Sequence, residues 1–318
     1  MEIVTCFDHD FVMPTGVMMY SLCKNNTEAK INFHLLVDKT VTEKDKNDLR
    51  QTVSDFMGEC LFYSVDNCLF DDLPSSESRY DFTSAIYYRL LVAEILPKTI
   101  DKVLYLDGDL IVRQSLLPLW NTDISKFAVA AVYERPYQMT DSDFFDFDRL
   151  GYSPQLGYFN SGVMLINLDF WRRNQITKKL FSLLNDYPEK LVLGDQDCLN
   201  IVLKENKLEL PPKYNLISSF LHAESFDKTQ SEEEVRIGIE NPVIVHFTTD
   251  KPWYKYVRDP HPYGSTFIKY QDETIWKGQR VDRRPLKRKL INAVADTMRL
   301  MKLKHKLEPL YITIKPLD

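Results

Sequence analysis

Residues Lys102–Val112, KVLYLDGDLIV, set two aspartates and a glycine between two apolar runs. A short run of Val, Leu and Tyr reads as a strand of a parallel sheet covered on both faces. Ionised carboxylates cannot sit unpaired inside such a strand. Asp107 and Asp109 must therefore lie where the chain leaves the sheet, and ligands of open α/β sheets bind beyond that carboxyl end. Residues two apart point to the same side of an extended chain, so both carboxylates can face one hard cation. Gly108 between them lets a ligand approach the backbone. Two carboxylates plus phosphate oxygens is a usual way of holding magnesium or manganese. An acidic turn at a strand end is the bland alternative, and for a lone Asp-x-Asp it would win. Here Leu110, Ile111 and Val112 resume the apolar run. Core on both sides of the acids favours a site.

The flanking chain supplies the rest of an α/β sheet. EIVTCF (Glu2–Phe7), Ile31–Val37 and Glu59–Val65 read as strands. Helices are expected from Pro14 through Cys23, from Thr42 to Met57 with Thr42 as N-cap, and from Thr83 to Leu96 before Pro97. Phe127–Tyr133, Tyr158–Leu168 and Pro242–Phe247 continue the strand pattern, with helices over Asp169–Tyr187 and Asp195–Glu205. Strands alternating with helices argue a parallel, doubly wound sheet. Gln138–Leu156 is loop-like and aromatic, suited to a flap over a site.

With only 10 glycines and no Walker or dinucleotide fingerprint, a Gly-rich phosphate loop is not expected. Five cysteines form no CxxC pair, and a first strand follows Met1 almost directly, which points to a reducing cytoplasm. No apolar run approaches transmembrane length.

In chain order, EIVTCFDHDF, LYLDGDLIV, YFNSGVMLINL, GDQDCLN and VHFTTDKPW resemble the blocks of glycosyltransferase family 8 over Met1 to Trp253. Any one block is weak; five in the family's order are specific. The resemblance implies an α/β fold of the GT-A nucleotide-diphospho-sugar transferase type, a mostly parallel central sheet flanked by helices. It implies transfer of galactose or glucose from a UDP-sugar, with retention at the anomeric carbon, to a surface-glycan or lipid-linked saccharide acceptor.

The same resemblance makes Asp107, Asp109 and His246 the ligands of manganese, or magnesium, at the UDP diphosphate. Mixed carboxylate and imidazole ligation suits manganese better than calcium. Lys251 matches the lysine that meets the diphosphate. The family's usual His, Gly and more distant Lys is replaced by Thr248, Thr249 and a shorter gap, so threonine hydroxyls stand in for backbone amides. Asp8 and Asp10 match positions contacting uracil and ribose, where a carboxylate accepts from N3–H or a hydroxyl. The family often has Asn at the Asp10 position. Cys6 falls where the family's backbone meets the base. Arg89, Asn160, Ser161, Asp195 and Gln196 match the sugar pocket, which needs a few fixed donors and acceptors. Glu134 matches an acid near donor sugar and acceptor. Structural alternatives stand beside these: Arg89 as a helix-face ion pair, Asn160 as a turn residue, Asp195 as an N-cap, Lys251 as a solvated lysine.

Asp195 and Gln196 are the catalytic candidates. Double displacement needs a nucleophile opposite the leaving group, and Gln196 is a poor one. Front-face attack, with Gln196 supporting an oxocarbenium-like state electrostatically, is the favoured alternative.

Residues 277–306 carry eleven lysines and arginines against two aspartates, in a chain of formal net charge −6. Leu290, Ile291, Val294, Met298 and Met301 recur at helical spacing, giving an amphipathic helix over Leu286–Leu307. A basic amphipathic helix suits an anionic inner leaflet. The expected division is a catalytic domain 1–275 and a basic tail 276–318, peripheral on the inner face of the plasma membrane. The alternative is a helix packed on the body with a solvated basic face. An acidic body argues against nucleic acid. Two other functions compete: a non-catalytic membrane-attached UDP-sugar binder, and a phosphatase-like hydrolase using Asp107 and Asp109. The second usually wants Thr or Ser shortly after the second acid, and Leu110–Val112 offers none.

Overall fold

The computed structural model describes residues 1–66, 84–135, 146–222, 232–249, 251–257, 260–282 and 311. The tail helix expected over Leu286–Leu307, the first part of the aromatic loop, Thr83 and Cys68 lie outside them.

Strands β1 (Glu2–Phe7), β2 (Ile31–Val37), β3 (Gly58–Ser64), β4 (Lys102–Leu106), β6 (Val129–Glu134), β7 (Tyr158–Asn167) and β8 (Lys207–Leu210) form one sheet in the order β3-β2-β1-β4-β7-β6-β8. All neighbours pair parallel except β7, which is antiparallel to β4 and β6. The sheet is thus mostly parallel and flanked by helices, with one reversed strand in its middle. Both faces are covered. Ile3, Phe7, Leu104 and Leu106 enter one apolar cluster, and Val4, Val103 and Tyr105 the other. This two-sided burial is why β1 and β4 read as continuous apolar runs.

The run Lys102–Val112 is not a single strand. It breaks at Asp107–Asp109, and β5 (Leu110–Val112) joins a second sheet of order β5-β10-β9, with β9 at Leu216–Ile217 and β10 at Ile244–His246. The acids therefore bridge two sheets rather than fray from one.

Helix α1 (Val12–Lys24) and helix α2 (Glu43–Val53) appear near their expected positions, α2 shorter at its carboxyl end. Thr42 caps α2: its hydroxyl accepts from Asp45 N, and the Asp45 carboxylate accepts from Thr42 N at 2.8 Å. Two expected helices differ. Ser84–Leu91 winds as a 3-10 helix before α3 (Val92–Ile95), with Ala85, Tyr88 and Leu91 packed at three-residue spacing. The expected helix Asp169–Tyr187 splits into Leu168–Arg173 and Ile176–Asp186 at Gln175, whose φ is 51°. Leu168 and Trp171 are buried three apart, and Ile176, Leu180 and Leu184 four apart. The five-residue step from 171 to 176 breaks helical phase, and the left-handed Gln175 absorbs it.

Packing onto the body continues past residue 275: Trp276 lies against Gly16, and Val281 N donates to Trp253 O at 2.9 Å. No helix among the described residues is long and apolar enough to cross a membrane.

Candidate active site

Three backbone ties shape the acidic turn. Leu110 pairs with His246 across the β5–β10 ladder, which brings the imidazole beside Asp109. Phe247 N donates to Asp109 O at 2.9 Å, and Asp107 N donates to Gly162 O at 2.8 Å. The outcome is a cluster of Asp107, Asp109 and His246 whose ligand atoms lie within 4.8 Å of one another. His246 Nε2 is 3.1 Å from Asp109 Oδ1 and 3.7 Å from Asp107 Oδ2.

The imidazole is oriented by a chain of amides. Asn160 Oδ1 accepts from Gly162 N at 3.0 Å and from Asn215 Nδ2 at 2.9 Å. That leaves Asn215 Oδ1 as the acceptor 3.0 Å from His246 Nδ1. Nδ1 therefore carries a hydrogen, and Nε2 is the nitrogen that faces the two carboxylates and would meet a cation. Gly162 completes the cradle: a Cβ there would stand 2.2 Å from His246 Cε1 and 2.7 Å from Asp107 Oδ2. Two carboxylates and an imidazole nitrogen, pre-oriented around one point, fit a divalent cation of the manganese or magnesium kind.

Lys251 sets its ammonium 2.6 Å from Asp109 Oδ2 and also donates to the Phe247 carbonyl. Burial would raise the Asp109 carboxyl's pKa, but Lys251 and His246 hold it far below the usual carboxylate range. The Thr248 hydroxyl accepts from Ser218 N at 3.2 Å, so its hydrogen stays available for donation.

Arg89, brought in by the 3-10 turn, links the two halves of the site. Its Nη2 is 3.0 Å from Asp107 Oδ1, its Nε 3.2 Å from Asp195 Oδ2, and its Nη1 donates to Ser161 O at 3.1 Å. Tyr105 lies under the guanidinium, 4.6 Å from Cζ to ring centre, and donates to Asp107 Oδ1 at 2.7 Å. Asp195 opens the helix Asp195–Leu203. Burial, offset by Arg89 and reinforced by Asp107, pushes its pKa up to about 6. Gln196 uses its carboxamide oxygen to accept from Ser161 N at 2.9 Å and its NH2 to bond the Tyr158 hydroxyl, so one N–H remains for a ligand. Glu134, beside Asn160 Nδ2 at 3.3 Å, is pushed up to about 7 by burial.

The expected uridine-side residues lie beside β1. Asp8 Oδ1 accepts from Asp10 N at 3.0 Å, capping a short 3-10 turn. Burial pushes the Cys6 thiol up, so it stays protonated. At Gly108 a Cβ would meet the Thr15 hydroxyl at 2.3 Å, so helix α1 packs closely against this residue. Gly162, Asn215 and Tyr105 were not singled out in sequence. Tyr105 shares strand parity with Asp107 and Gly162 sits in FNSG, whereas Asn215 lies in a stretch with no motif.

A sequence profile of glycosyl transferase family 8 matches residues 2–256. General stress protein A of Bacillus subtilis (strain 168) is 30% identical over 286 residues, covering 87% of this chain and 94% of that protein. A lipopolysaccharide 1,2-glucosyltransferase of Escherichia coli is 31% identical over 252 residues, 78% of this chain and 71% of its own. Among solved structures, galactosyltransferase LgtC, crystallised with donor and acceptor sugar analogues, superposes with a TM-score of 0.74 at 24% identity. That match covers 91% of this chain and 99% of LgtC and shows a shared GT-A fold. With its five motif blocks in order and the profile running unbroken across both sheets, this chain belongs to glycosyltransferase family 8.

Proposed function

We propose that this enzyme transfers galactose or glucose from a UDP-sugar to a saccharide acceptor of a surface glycan, with retention and with a divalent metal. One observation carries the reading: Asp107, Asp109 and His246 converge within 4.8 Å beside the Lys251 ammonium. The names of the relatives support the hexose, since they include lipopolysaccharide glucosyl- and galactosyltransferases.

Asp107, Asp109 and His246 would hold manganese, which supplies Lewis-acid stabilisation of a departing diphosphate. Lys251 adds a positive charge on the same side. Asp8 and Asp10 receive the uridine, near Cys6. Arg89, Asn160, Ser161 and Asp195 fix the sugar hydroxyls. Arg89 is spread over Asp107, Asp195 and Ser161, so the diphosphate and sugar halves share one rigid cation. The oxygen of Gln196 is committed to Ser161 N, which disfavours it as a nucleophile and favours its NH2 as a pole facing the sugar. Asp195 is clamped by Arg89 and by Ser161 Oγ at 3.3 Å, so it too is poorly placed to attack. Both points support front-face attack by an acceptor hydroxyl.

Domain 276–318 is read as a basic attachment to an anionic inner leaflet, supported by its eleven cations between residues 277 and 306. Replacing Lys287, Arg288, Lys289 and Lys302 by Gln is expected to abolish sedimentation with anionic liposomes. Unchanged sedimentation would remove the membrane claim. The donor is tested with a panel of UDP-sugars and manganese, following slow release of UDP without acceptor and assigning the product anomer by NMR. No release from any UDP-hexose, or an inverted anomer in a transfer product, would overturn the reading.

A further inference from the structure

The loop after His246 is held at nearly every residue. Phe247 N is tied to Asp109 O, Thr248 Oγ1 to Ser218 N, and Lys251 to Asp109. The remaining tie comes from the far end of the chain. Tyr311 OH lies 2.7 Å from Thr249 Oγ1, and its backbone bridges antiparallel to His222. Its ring is 6% exposed and packs against the rings of His222 at 5.4 Å and His261 at 5.3 Å. His261 in turn meets Phe247, the residue after the imidazole ligand, at 4.7 Å. Burial, with Lys251 nearby, lowers the His261 pKa to about 3, so the His261 ring stays uncharged next to the ammonium. One tyrosine side chain thus closes a continuous stack that ends at Phe247, next to His246.

We propose that Tyr311 is a positioning residue: its side chain latches onto the Phe247–Thr249 loop and so sets the order of the donor's diphosphate side. The functional half of this proposal rests on the donor reading above, whereas the latch itself needs no nucleotide.

Hydrogen exchange of the metal-free full chain tests the latch. In Tyr311→Phe, which keeps the ring and loses the hydroxyl, a peptide spanning Phe247–Thr249 should exchange about fivefold faster, the worth of one net hydrogen bond. Tyr311→Ala should exceed this, while peptides from β1 and β4 stay unchanged. Calorimetry with UDP and manganese should show weaker binding in the same rank order. Donor KM should rise while acceptor KM holds, a split that general loosening of the fold would not give. Unchanged exchange in Phe247–Thr249 of both variants would overturn the latch. Faster exchange with unaltered UDP affinity would overturn its coupling to the site. A wild-type chain that exchanges as described but takes up no UDP would overturn the donor reading and leave the latch supported.

Discussion

Lys251 places its ammonium 2.6 Å from Asp109 Oδ2, across 142 residues of chain. Through this contact a protein cation neutralises the carboxylate that the site would offer to a metal. The pair is mostly buried, so removing Lys251 leaves Asp109 with His246 as its remaining partner. Lys251→Met should cost the metal-free protein about 2–4 kcal/mol in urea unfolding. Saturating manganese should restore most of it, since the ion then supplies the missing positive charge. A variant that manganese does not rescue would count against the metal site.

The acid side of the same contact has a pH signature. Lys251 and His246 hold the Asp109 carboxyl below its unfolded value despite burial. The stability it contributes is therefore complete above an unfolded pKa of about 4 and is lost as pH falls towards the folded one. Asp109→Asn should flatten the acid limb of an unfolding-versus-pH curve and abolish ion-enhanced UDP uptake in calorimetry. An acid limb identical to wild type would mean the pair contributes nothing.

Asp195→Asn and Gln196→Ala address the sugar rather than the nucleotide. Both residues lie on the Arg89–Ser161 side of the site. Transfer should slow by at least about a hundredfold, the loss typical of removing one polar group that stabilises the transition state. UDP affinity should change little. A large loss of UDP binding in either variant would move that residue out of a sugar-facing role.

Much of this was readable in sequence because strand parity and burial leave marks on residue order. The apolar run ending in Asp107 marks a strand end, and Thr42 marks a helix start. What escaped was set by contacts between distant segments. That Lys102–Val112 changes sheet at Gly108 follows from β10 pairing with β5, about which local sequence is silent. Asn215 orients His246 from a segment without a motif, and only the amide chain through Asn160 shows its part. The break at Gln175 was legible as a phase slip, but a window spanning both halves averages it away.

Glu134 offers a prediction of the opposite sign to Asp109. Burial raises its pKa from 4.5 to about 7. Between those values the unfolded chain has lost a proton that the folded one keeps, so stability falls as pH rises and levels off above about 7. Glu134→Gln should remove that slope and stabilise the metal-free protein at pH 8 by on the order of 1–2 kcal/mol, allowing for partial solvent access. Urea unfolding at pH 5 and pH 8 reads the difference. A slope that persists in the variant would place the titration elsewhere.

The two glycines of the site separate packing from ligation. At Gly108 an added Cβ meets the Thr15 hydroxyl at 2.3 Å, with the Thr15 Cβ at 3.4 Å. Gly108→Ala should therefore cost about 1–3 kcal/mol, and Thr15→Ala in the same chain should recover most of it. At Gly162 the obstructed atoms are His246 Cε1 and Asp107 Oδ2, which no second-site truncation relieves without removing a ligand. Gly162→Ala should lower manganese affinity far more than stability, and the Gly108→Ala, Thr15→Ala pair should do neither. If instead the double variant folds normally but loses manganese, a bound ligand rather than helix α1 makes the close approach at Gly108, and the first sequence expectation for that residue is right.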